Sequence, residues 1–368
     1  MAIEKKRPRG LKSSAKANKK AKVEEASTEI PENAQTIVIE KEVEEGDELG
    51  EVAALLESAI EKLEENPVEA LALLRGTIHE SDQILRKWES EESLPAFFYY
   101  NYGVALYELG RLMEDEEFEP YLDAAEERLE DGLKQLKEDD KELYSKTHLA
   151  LCKVWFAKAA SQVSEDDTVS DLAIRALAAA DKIVDELPSK VVIELADIVQ
   201  NHGALYSSLE SRNKFITWAK ETLEKTLKEE PKNAQALYVL GLCKLQVAHY
   251  YLDNLNEEEE EEEEEEKTKL SEEEEKAYEA IIESKKNLEA ARKAFLEQDK
   301  LMPQVLADLA EVHLNEANLV LGEEKQNKVY EQAINAIKEA QKLIDEKKLD
   351  YELPEGLVAF LAEYEEEQ

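Results

Sequence analysis

The side chains best equipped for chemistry in this sequence are five histidines (His79, His148, His202, His249, His313) and two cysteines (Cys152, Cys243). A catalytic or metal-bound histidine needs company at a defined spacing, and none of the five opens a His-x-Asp/Glu pair. Their scatter predicts polar core or groove residues rather than ligands. No glycine precedes a lysine and no two glycines sit two apart, so neither a phosphate-binding loop nor a dinucleotide fingerprint is present. The nucleophile elbow is missing as well. Carboxylates abound, but on helices they occupy solvated faces, and no pair stands out for acid–base work. The sequence predicts a binding protein with no catalytic residue, no metal and no cofactor.

Composition says what kind of binder. The 368 residues hold 46 Lys and Arg against 87 Asp and Glu, a net charge of −41. That balance argues against direct nucleic-acid binding, which needs clustered cations, and favours basic protein partners. Apolar residues make up 43 %, enough for a core, while 11 glycines and 9 prolines suit helices joined by short turns. Two cysteines make no disulfide framework and fit a reducing compartment. The longest charge-free stretch, Ser93 to Tyr107, falls short of the roughly 20 residues a membrane span requires. With no apolar segment after the basic opening, a soluble intracellular protein is expected.

The charge is unevenly placed. Residues 1–22 carry nine cations and one anion, +8, which leaves −49 for the rest. Lys5, Lys6, Arg7 and Arg9 form one cluster and Lys19, Lys20 and Lys22 another. Two basic clusters at that separation look like a bipartite nuclear-import signal, read as an extended peptide by an acidic import receptor. Residues 1–48 are expected to be a disordered tail; within it Ile37-Val38-Ile39 is a short apolar run beside acids. At the other extreme, Glu257, Glu258, Glu259, Glu260, Glu261, Glu262, Glu263, Glu264, Glu265 and Glu266 run without interruption. Ten adjacent anions cannot be buried, and the run, within an insertion at about 256–270, predicts a solvated acidic arm able to steer basic clients.

From residue 49 to 368 the pattern is helical. In 172–187 Leu172, Ala176, Leu177, Ala180, Ile183, Val184 and Leu187 recur at three- and four-residue steps, one helix face. About twelve such stretches are expected, broken at Pro67, Pro95, Pro120, Pro188, Pro231, Pro303 and Pro354. The breaks repeat a motif: Ala176, Ala180, Ile183, Pro188 has the spacing of Ala219, Leu223, Thr226, Pro231 and of Ala291, Phe295, Gln298, Pro303. First helices share a second step, Tyr99-Tyr102-Gly103 and Leu237-Leu240-Gly241. Small residues let paired helices approach, large ones fill between hairpins, and proline stops the second helix. The fold class expected is all-α, a tetratricopeptide-like helical-hairpin repeat array (an α-solenoid). Prolines 43 and 72 residues apart, against a regular repeat of about 34, predict unequal hairpins. First helices line the concave face of such arrays. The expected partner groove is Phe97, Tyr100, Val104 and Tyr107 in one hairpin and Tyr238, Leu242 and Leu245 in another, aromatic enough for a partner helix or extended peptide.

The layout resembles the fungal enhancer of translation termination family. The resemblance rests on the opening Lys6-Arg7-Pro8-Arg9-Gly10-Leu11, the helical-repeat body, the acidic insertion before the last helices, and the stretch Asn287–Asp308 with Pro303. It implies a nuclear, non-enzymatic protein needed for accurate stop-codon termination, with a part in hypoxic gene regulation. The partners it implies are translation-termination or ribosome-associated factors and a 2-oxoglutarate- and iron-dependent dioxygenase that acts on the translation apparatus. The acidic sequence leaves open a second class of function, an acidic nuclear chaperone for histones or ribosomal proteins.

Overall fold

In the computed structural model, residues 41, 43–113, 118–163, 167–255 and 269–366 are described. They form thirteen α-helices and one 310 turn, with no strand among them. The basic opening, Ile37–Ile39 and the glutamate run all lie outside the described residues. No described helix is long and apolar enough to cross a membrane.

The chain divides into two compact units, residues 1–162 with 171–186, and residues 163–170 with 187–368. The first contains α1 (Glu48–Lys62), α2 (Pro67–Lys87), α3 (Ala96–Leu112), α4 (Glu119–Gln135), α5 (Lys141–Ala160) and α6 (Asp171–Ile183), with the 310 turn Val184–Glu186 finishing α6. The second contains α7 (Ser189–Ala204), α8 (Leu209–Glu229), α9 (Ala234–Leu255), α10 (Glu272–Glu297), α11 (Pro303–Leu319), α12 (Glu323–Lys347) and α13 (Glu355–Glu366). Helices pair as hairpins in sequence order, α1 with α2 through α11 with α12. Within each unit first helices also touch first helices: α1 meets α3 and α3 meets α5, while α7 meets α9 and α9 meets α11. That is the stacking expected of hairpin repeats.

Pro231 follows the C-cap Glu230 of α8, the side its motif expects, but other prolines act at helix starts. Pro67 and Pro303 open α2 and α11, and Pro95 and Pro188 cap α3 and α7. A first-turn residue has no intrahelical use for its N–H, so proline there costs nothing and presets φ. Side-chain caps supply other starts. Asp47 Oδ1 accepts from Gly50 N at 2.9 Å, and Ser271 and Glu274 form a reciprocal capping box at α10.

The small residues lie where helices approach. A Cβ on Gly103 would stand 2.6 Å from Leu129 Cγ on α4, and one on Gly241 would stand 2.6 Å from Leu288 Cδ2 on α10. Ala176, Ala180, Ala219, Leu223 and Ala291 are fully buried on second helices. Polar ties join neighbouring hairpins. In the first unit Trp155 Nε1 and Lys158 Nζ of α5 donate to Glu126 of α4 at 2.7 and 2.5 Å, and Arg175 of α6 lies 4.0 Å over the Trp155 ring. In the second, Lys285 of α10 donates to the buried Glu316 of α11 at 2.6 Å. Asp167, at φ 54°, accepts from the amides of Ser207 at 2.6 Å and Ser208 at 3.0 Å, at the start of α8. Desolvation works against the Asp167 carboxylate, but hydrogen bonds from Ser208 and Ser207 outweigh it and hold its pKa at about 2.

Candidate docking faces

α3 is buried round most of its circumference, Asn101, Leu106 and Glu108 included. Phe98, Tyr102, Ala105 and Leu109 point into the core of the first unit. Phe97, Tyr100, Val104 and Tyr107 recur at steps of three, four and three, but Val104 packs against the core cluster that contains Leu55, Leu74 and Leu109. Phe97 is 40 % exposed and the other three are half-buried. The Tyr107 ring is braced 6.0 Å from Phe118. Burial, with the Glu108 carboxylate, raises the Tyr100 hydroxyl above its ordinary pKa, so it stays protonated as a donor. Behind the face Tyr102 donates to Asp82 Oδ1 at 2.5 Å, fixing α3 against α2. Phe97 is the open member of the strip, with Tyr100 and Tyr107 half-buried near it.

The second predicted strip is different. Leu242 is half-buried, but Tyr238 and Leu245 are 8 % and 4 % exposed, core residues rather than groove residues. Tyr238 is held between α10 and α11: its ring lies 6.4 Å from that of Phe295, it donates to Asp308 Oδ2 at 2.5 Å, Gln304 Nε2 donates to Oδ1 at 2.7 Å, and Tyr351 donates to Gln304 Oε1 at 2.7 Å. Burial raises the Asp308 carboxyl despite the hydrogen bonds from Tyr238 and Gln304 that oppose it. Sequence reasoning missed this bracket because Tyr238 and Asp308 are 70 residues apart.

The histidines are dispersed in space as in sequence. His202 sits in an aromatic cluster, its Nε2 3.1 Å from the Tyr206 hydroxyl and its ring edge-on to Phe215 at 4.9 Å. Burial lowers its pKa to about 4. His313 lies 3.6 Å from Glu316, His249 2.9 Å from Glu311, and His79 2.7 Å from Gln83. His148 does have Cys152 one helical turn on, a spacing the scattered-histidine reading passes over. The Cys152 thiol is buried, donates to Ala176 O at 3.4 Å, and is pushed up to about 12 by desolvation, so it offers no thiolate to a metal. Among the described residues no group of three His, Cys, Asp or Glu side chains could hold a metal ion. The predicted import residues Lys5, Lys6, Arg7, Arg9, Lys19, Lys20 and Lys22 and the acidic arm Glu257–Glu266 lie outside the described residues.

Comparison with known proteins gives these faces a context. Residues 1–184 match the model of the family described as nuclear pore complex subunit Nro1. Enhancer of translation termination 1 of Scheffersomyces stipitis is 28 % identical over 234 residues, covering 53 % of this chain and 52 % of that protein. Negative regulator of ofd1 of Schizosaccharomyces pombe is 33 % identical over 195 residues, covering 45 % of this chain and 48 % of that one. The chain thus matches about half the length of these curated relatives. A solved structure described as that of the hypoxic regulator of sterol synthesis Nro1, a nuclear import adaptor, superposes with a TM-score of 0.55 at 24 % identity. The superposition covers 87 % of this chain and 94 % of that one. At that identity the likeness establishes the all-helical fold.

Proposed function

This chain belongs to the family described as nuclear pore complex subunit Nro1, a nuclear family, and from that premise we propose that it is a protein-binding adaptor with no reaction of its own. Its α3 face holds a partner protein, and the basic opening carries the assembly to the import receptor. Through that partner it acts in translation termination and in the hypoxic response. The relatives' names, an enhancer of translation termination and a negative regulator of ofd1, support the regulatory half of this reading. The description of the solved neighbour as a nuclear import adaptor supports the transport half. The partner sought is a translation-linked protein, with a 2-oxoglutarate-dependent dioxygenase as first candidate.

The observation that carries the reading is exposed Phe97 with half-buried Tyr100 and Tyr107 on α3, a helix otherwise packed into the core. Aromatic side chains held rigid and half-exposed are the anchors of protein interfaces, where a few such residues dominate affinity. Affinity purification of the tagged full chain from its own nuclei tests it, beside a Phe97→Ala/Tyr107→Ala variant. Recovery of termination factors or the dioxygenase with wild type, and their loss with the variant, is expected. Recovery of neither by wild type contradicts the adaptor reading. The ten-glutamate run favours one further reading, a chaperone for basic clients. It requires binding that falls steeply with salt and disappears when residues 257–266 are deleted.

A further inference from the structure

In the first unit, where α4 hands over to α5 and α6 finishes, an open cleft of about 600 Å³ has no lining residue with a role assigned above. Leu133 and Leu136 of α4 form an apolar wall. The Tyr144 ring lies across from them, 41 % exposed and stacked on His148 at 4.0 Å. His148 Nδ1 is 2.9 Å from the Tyr144 carbonyl, which can only accept, so that nitrogen carries the proton. Burial, and next the Lys182 ammonium, keep the ring neutral, which leaves its Nε2 an acceptor in the cleft. Ser145 also lines the cleft and offers its hydroxyl there.

The charges define the ligand. Lys137, Lys141 and Lys182 stand around the cleft, and so do Glu138, Asp140 and Glu186. None of these six makes an ion pair within 4 Å among the described residues, although the signs are equal in number. Three carboxylates beside three ammoniums reject a polyanion, because each phosphate would lie near a carboxylate. The same arrangement suits a chain that carries both signs.

We propose that this cleft seats a short peptide segment of a partner protein, with an apolar residue flanked by acidic and basic side chains. The apolar residue packs between Leu133, Leu136 and the Tyr144 ring. Its acidic neighbour meets Lys141 and Lys182, its basic neighbour meets Glu138 and Glu186, and its backbone pairs with the Ser145 hydroxyl and His148 Nε2. The volume falls within the range of about 300–1,000 Å³ usual for ligand sites.

The test is an array of immobilised 12-residue peptides in four groups (Lys-Leu-Glu-centred mixed charge, all-acidic, all-basic, uncharged), probed with the full chain. Anisotropy titrations of the strongest binders follow. Mixed-charge peptides are expected to bind best, Tyr144→Ala to weaken them at least tenfold, and Lys182→Glu to weaken them comparably. Both variants change exposed side chains, and their thermal melts report whether the fold is intact. Phe97→Ala should leave peptide affinity unchanged, which separates this cleft from the α3 face. Preference for a single-sign group, displacement by ATP at millimolar concentration, affinity that survives Tyr144→Ala, or no peptide binding at all overturns the proposal.

Discussion

Single side chains decide whether this protein tolerates acid. His202 is 4 % exposed, packed on Phe215, and burial places its pKa at about 4 against an ordinary value near 6.5. Between those values the unfolded chain binds a proton that the folded one refuses. Stability is therefore complete well above pH 6.5 and falls as pH drops toward 4. The contribution lost from about pH 7.5 to about pH 5.2 is on the order of 2 kcal/mol, in a range above the isoelectric point near 4.5. Urea denaturation of wild type and of His202→Phe at the two pH values measures it: the stability difference between the proteins should shrink by that amount in acid. A difference independent of pH would mean that His202 is not held neutral. Tyr238→Phe probes the other buried bracket. It removes one of the two donors to Asp308 and is expected to cost about 1–3 kcal/mol with no change in secondary structure. Neither residue's role was legible beforehand. A lone histidine or tyrosine on an apolar face looks the same whether it faces a groove or a helix that arrives 70 residues later.

Elements were far more legible, because periodicity is a local property. The three- and four-residue steps of 172–187 fall in α6 and its 310 extension, and Gly103 and Gly241 mark the close approaches their motif steps suggest. What the pattern could not supply was the neighbour of each first helix, so Tyr238 and Leu245 look as open as Phe97. Pro188 and Pro303 turn out to start helices, unlike Pro231, for a related reason: a proline between two helices can end one or begin the next, and only the backbone shows which. The glycines yield a paired prediction. Gly103→Ala would push a methyl to within 2.6 Å of buried Leu129, and overpacking of this kind costs about 1–3 kcal/mol, more than the helix propensity gained. Gly356→Ala meets nothing within 4 Å and should stabilise α13 by up to about 1 kcal/mol. Thermal melts of the two variants should move in opposite directions; a rise in Tm for Gly103→Ala would mean that α3 and α4 are not in close contact there.

The whole molecule is organised by charge and by hairpins, and both serve binding. The body carries −49 and the opening +8, and the transport step proposed above assigns the opening to an acidic receptor. Changing Lys6, Arg7, Lys19 and Lys20 together to alanine in the fluorescently tagged full chain should move it from nucleus to cytoplasm, with no change in its melting temperature. Nuclear signal equal to wild type would remove the opening from the transport step.

The central claim is that the α3 face holds another protein. A photoreactive benzoyl-phenylalanine in place of Phe97, in the living cell, tests this most directly, with the same residue in place of the exposed Val68 as control. Illumination should give one dominant adduct at position 97, absent at 68, whose mass spectrum contains peptides of a translation-termination factor or of a dioxygenase. The same faint ladder from both positions would contradict the account.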